Sequence, residues 1–90
     1  MSTTARRVRV EGRVQGVFFR DSCRAEADAR GVAGWVTNEP DGSVSVHLEG
    51  DEAAVAEVVA WCHEGPRHAR VARVDESEAP LQGLTGFEVR

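Results

Sequence analysis

The sequence predicts an α+β sandwich in which one antiparallel sheet carries both helices on a single face. Three observations lead there. Apolar residues alternate with polar ones at period two in segments 6–12 and 43–49, as half-buried strands require. Two other segments, 21–30 and the stretch from Asp51 to Gly65-Pro66, carry apolar residues at helical spacing instead. The resulting order is strand, helix, strand, strand, helix, strand, with a short extra strand, which is the split βαβ arrangement. Ninety residues make one domain with one modest core, so 1–90 is read as a single unit with 1–5 as a flexible polar tail.

In the first strand, Val8 and Val10 face the core and Arg7 and Arg9 face away. A nine-residue stretch, Gly12-Arg13-Val14-Gln15-Gly16-Val17-Phe18-Phe19-Arg20, joins it to the first helix. Cys23 and Ala27 share the buried face of that helix, Phe19 anchors its entry, and Gly31 ends it as a C′ residue. Residues 32–38 form the second strand, and Pro40-Asp41-Gly42 marks a turn. In the third strand Val44, Val46 and Leu48 point inward, while Ser43, Ser45, His47 and Glu49 are expected on a solvated face. Asp51 is placed to cap the second helix, whose stripe is Val55, Val58, Val59 and Cys62. The fourth strand, 69–74, changes phase between Val71 and Ala72, which suggests a bulge. A loop over 79–86 leads to a last strand at 87–90.

Composition removes several classes of function. A net charge of −4 argues against a broad basic surface for nucleic acid. The exposed sheet positions carry Arg, Ser and His rather than the aromatic platform of a single-strand RNA binder, and Trp35 and Trp61 read as core or rim residues. There is no lysine, so Schiff-base chemistry and lysine nucleophiles are absent. No apolar run is long enough for a signal peptide or a membrane span, which makes a cytoplasmic protein with no membrane partner the expectation. His47, His63, His68 and the two cysteines lack metal-ligand spacing, so no metal or other cofactor is expected. Cys23, early in one helix, and Cys62, late in the antiparallel other, are brought toward one end of the sandwich as reduced neighbours or as a bridge, the reduced form being the expectation.

The chemistry-bearing stretch is Gly12 to Arg20. Its glycines allow tight turning and close approach of backbone N–H groups to a ligand. The helix N-terminus behind it adds unpaired donors and partial positive charge, and Arg20 adds a planar fork suited to phosphate. The stretch is neither a Walker A loop nor a dinucleotide fingerprint. The split βαβ connection makes the first and second strands parallel, so Asn38, at the end of the second, should lie near Arg20. An asparagine amide both accepts and donates and can orient water, but it is no general base. With no nucleophile or acid in the motif, the site suits a substrate with a stable leaving group. An acyl phosphate qualifies, because the acid it releases has a pKa of about 4–5.

The chain resembles the acylphosphatase family over nearly its whole length. Gly12 through Arg20 resembles the phosphate-loop signature of that family, and Gly34-Trp35-Val36-Thr37-Asn38 with Asp41-Gly42 and Val44 resembles its second signature. Gly65-Pro66 followed by Ala69 and Val71 also matches. The resemblance implies a ferredoxin-like fold and hydrolysis of acyl phosphates without metal or covalent intermediate. It implies that Arg20 and the main chain of Gln15, Gly16, Val17, Phe18 and Phe19 bind the phosphate, and that Asn38 orients the attacking water. The Gln15 side chain is read as satisfying loop backbone instead. Phe18 stands at a position variable in the family, and Arg90 stands where a terminal aromatic residue is usual. A monomer is expected. The competing reading is a non-catalytic anion-binding module, or a domain like those attached to larger carbamoyl-transfer proteins.

Overall fold

The computed structural model describes residues 2–90. Its elements are β1 (Thr3–Arg13), α1 (Phe19–Ala29), β2 (Ala33–Asn38), β3 (Val44–Asp51), α2 (Glu52–Cys62), β4 (Arg70–Glu78) and β5 (Phe87–Val89). They form one sheet in the order β4-β1-β3-β2-β5. β3 lies between β1 and β2 and is antiparallel to both, so β1 and β2 run the same way, as the sequence predicts. The sheet is nevertheless mixed, because β5 pairs in parallel with β2, with Gly34 opposite Phe87 and Val36 opposite Val89.

The core lies between the sheet and the helices. Val8, Val10, Val44, Val46 and Leu48 meet Phe19, Cys23 and Ala27 of α1 and Val55, Val58, Val59 and Cys62 of α2. Full burial of such side chains contributes about 1.5–3 kcal/mol for each Val, Leu or Phe. Asp51 caps α2 by accepting from the Ala54 N–H at 3.2 Å. The expected bulge lies in β4: Glu11 faces Arg73 and Gly12 faces Val71, leaving Ala72 as the extra residue. Cys23 and Cys62 are buried and unbridged. A hydrogen bond with Cys62, and then burial, push the Cys23 thiol pKa up.

Two expectations are corrected. Of the supposed tail, Met1 lies outside the described residues, but Thr3, Thr4 and Ala5 are the first residues of β1 and pair with Asp51, Gly50 and Glu49. The far face of the sheet is also not solvated at its centre. His47 is 0% and Glu49 5% exposed. Trp35 stacks on His47 at 5.7 Å between ring centroids, and the guanidinium groups of Arg7 and Arg90 each lie 4.8 Å from the Trp35 ring. The 79–86 loop folds over this layer and donates the N–H groups of Gln82 and Leu84 to the Glu49 carboxylate. Arg7 can only donate, so His47 Nδ1 accepts from it at 3.3 Å and Nε2–H donates to Glu49 at 2.7 Å. Period-two alternation separates two faces but carries no information about what covers the second.

Candidate functional site

The parallel run of β1 and β2 places their C-terminal ends at one edge of the sheet, and the loop from Val14 to Phe18 rises there. Gly16 adopts φ 73°, and Phe18, the residue preceding α1, adopts φ 62° and ψ 26°. Both are left-handed, and such alternation turns successive N–H groups toward a common concavity. No acceptor among the described residues takes the N–H of Gln15, Gly16, Val17 or Phe18. The first turn of α1 adds further unpaired donors, because its bonding begins with Ser22 N–H to the Phe18 carbonyl at 3.0 Å.

Arg20 and Asn38, eighteen positions apart in the sequence, line one pocket of about 320 Å³ together with Val14, Gly16, Phe18 and Val89. Arg20 is half-buried, and its Nη1 donates to the main-chain oxygen of Arg90 at 3.0 Å. That bond fixes one edge of the guanidinium and leaves the remaining donors free. Asn38 is the last residue of β2, and its Oδ1 is buried with no hydrogen-bond donor among the described residues. An acceptor left in that state costs about 1–3 kcal/mol unless something donates to it.

The other residues singled out from sequence divide clearly. The side chains of Val17 and Phe19 are buried in the core, so only their backbone can serve the pocket. The Phe18 ring is 75% exposed at its rim. The Gln15 side chain is engaged, donating Nε2 to the carbonyls of Glu39 at 2.8 Å and Ser43 at 2.9 Å. It therefore ties the loop to the β2–β3 turn, the structural role read for it. That turn is held in its own right. Asp41 accepts from the Ser43 hydroxyl at 2.6 Å and the Ser43 N–H at 3.0 Å, and Arg9 pairs with it. Its carboxyl is accordingly held down at about 2, chiefly by Ser43.

Asp21, Val89 and Arg90 belong to the neighbourhood of the pocket but were not expected there. Asp21 follows Arg20 directly and could have been inferred from helix position. Val89 and Arg90 arrive through the parallel β2–β5 pairing, a long-range contact with no local signature. Among the described residues, no three His, Cys, Asp or Glu side chains are gathered as a metal site requires. Among the described residues, no helix is long and apolar enough to cross a membrane.

This geometry coincides with clear similarity to known proteins. The acylphosphatase family model matches residues 6–89. An acylphosphatase of Rubrobacter xylanophilus is 60% identical over 85 residues, covering 93% of this chain and 77% of its own. The crystal structure of acylphosphatase from Bacillus subtilis superposes with a TM-score of 0.93 at 37% identity, covering 99% of each chain. An acylphosphatase structure from Coxiella burnetii gives a TM-score of 0.94 at 36% identity, covering 98% of this chain and 93% of that one.

Proposed function

Because this chain belongs to the acylphosphatase family, we propose that it hydrolyses the carboxyl–phosphate anhydride bond of acyl phosphates, giving a carboxylate and inorganic phosphate. The observation that carries the reading is the convergence of Arg20, Asn38 and the unpaired loop on one pocket. The phosphate sits on the N–H groups of Gln15 to Phe19, with the free donors of Arg20 spreading charge away from its equatorial oxygens. Arg20 is oriented before substrate arrives, since Arg90 already holds its Nη1.

Asn38 orients the water. Its unpaired Oδ1 is the acceptor that a water O–H would satisfy. The water oxygen attacks phosphorus in line, the bond from phosphorus to the acyl oxygen breaks, and its electron pair leaves on the carboxylate. The proton of the water passes to a phosphate oxygen. The acid released has a pKa of about 4–5, so departure needs neither a general acid nor a Lewis-acidic metal. Two buried, unbridged thiols suit a reducing, cytoplasmic setting.

The test is hydrolysis of benzoyl phosphate at neutral pH with a chelator present. Arg20→Ala is expected to lose about 10²–10³-fold in kcat/KM, the scale of removing an oriented charge-stabilising donor. Asn38→Ala is expected to lose turnover while inorganic phosphate still binds. Wild-type turnover in Asn38→Ala would remove the water-orienting role. Phosphate binding without any hydrolysis by the unmodified protein would replace the enzyme with an anion-binding module.

A further inference from the structure

A wider groove of about 700 Å³ adjoins the pocket and shares Gly16 and Phe18 with it. Arg13, Arg67, His68 and Arg70 line it, and no carboxylate does. These arginines differ from the others in the chain. Arg6, Arg9, Arg24, Arg30, Arg73 and Arg90 each pair with an Asp or Glu. Arg7 donates to His47, and Arg20 to the Arg90 carbonyl. Arg13, Arg67 and Arg70 have neither an ion-pair nor a side-chain hydrogen-bond partner among the described residues, and all of them are exposed. A chain with 15 carboxylates against 11 arginines has acid to spare, yet its unpartnered guanidinium groups outside the pocket gather in this one groove. Arg67 and Arg70 lie within one four-residue stretch leading into β4, and the β1–β4 pairing brings Arg13, from the end of β1, opposite Arg70.

We propose, resting on the hydrolytic reading above, that this groove receives a second anionic group carried on the acyl part of the substrate. The preferred substrates are then acyl phosphates of acids that bear a distal carboxylate or phosphate. With the scissile phosphate in the loop, the acyl part leaves the pocket past Gly16 and Phe18, the residues common to both cavities. A charge at its far end meets three cationic forks with unfilled donors, which suit either oxyanion. The groove acts on binding and leaves the bond-breaking step unchanged.

The experiment compares kcat/KM for butyryl phosphate, succinyl phosphate and 3-phosphonopropionyl phosphate, whose distal ends are neutral, a carboxylate and a phosphonate. The intact protein is expected to favour the charged substrates by roughly five- to tenfold at low ionic strength, the range open to a few exposed ion pairs. The larger of the two charged preferences identifies the favoured oxyanion. The preference should shrink in added salt, which screens exposed charges, and disappear or invert in Arg67→Glu/Arg70→Glu. Equal values for all three substrates, or a preference that survives both salt and the double substitution, would overturn the proposal while leaving the hydrolytic function standing. No turnover of any of the three would instead overturn that function and the proposal with it. The salt dependence of the unmodified protein decides the matter even if the variant folds poorly.

Discussion

Gly16 and Gly34 show how differently one residue type can matter. Gly16 sits at φ 73° with nothing within 4 Å of where a Cβ would be, so a side chain there meets only left-handed strain. Gly16→Ala is expected to cost about 1 kcal/mol in urea unfolding, the price of that conformation. Gly34 lies in β2 at φ 147°, a backbone conformation that L side chains rarely adopt, and an added Cβ would also fall 1.7 Å from the His47 carbonyl oxygen of β3. Gly34→Ala is expected to cost about 3 kcal/mol or more, because one of two hydrogen-bonded strands must move. Both glycines were visible in sequence, Gly16 as part of a turning loop and Gly34 beside Trp35. The steric demand at Gly34 was not, since it comes from a strand thirteen positions away. Arg20 and Asn38 were legible for a better reason: each ends or follows a strand, and topology alone brings those strand ends together.

At the scale of elements, the 79–86 loop and β3 meet at Glu49. Burial raises the Glu49 pKa, but the bonds from His47 and the N–H groups of Gln82 and Leu84 outweigh it, and the net shift is downward from 4.5. A carboxyl lowered on folding contributes stability above its unfolded value, and that contribution is lost as pH falls through the folded value. Asp41 behaves the same way, down to about 2. Thermal midpoints are therefore expected to hold above about pH 5 and fall progressively below it. Glu49→Gln should cost about 1.5–3 kcal/mol, the scale of hydrogen bonds to a charged group. It should also flatten the acid limb and speed amide exchange at Gln82 and Leu84; unchanged exchange there would show that Glu49 does not hold the loop. The alternation in β3 placed Glu49 and His47 on the correct face. It could not show them covered, because the covering loop has no periodicity of its own.

At the scale of the whole molecule, the helix stripes and alternating strands were enough to give the two-layer sandwich, since each apolar face has one place to be buried. The same convergence packs Cys23 against Cys62. Neither thiol is expected to react with a labelling reagent in the folded protein, and both should react once it is denatured; a loss of both thiols without reductant would reveal a bridge. The parallel attachment of β5 escaped the sequence because three residues cannot announce a partner across the sheet. That strand has a consequence for how copies of the chain behave toward one another. β2 offers an outer row of N–H and C=O groups, and the 86–90 segment occupies it: the Gly34 N–H bonds to the Gly86 carbonyl, and the Arg90 N–H bonds to the Val36 carbonyl. The opposite rim of the sheet, β4, is guarded by Arg70, Arg73, Asp75, Glu76 and Glu78. A chain ending at Gly86 would thus bare the apolar, uncharged stretch Gly34-Trp35-Val36 as a ready template for another strand, and purified samples should form larger species as concentration rises, growing from that side alone.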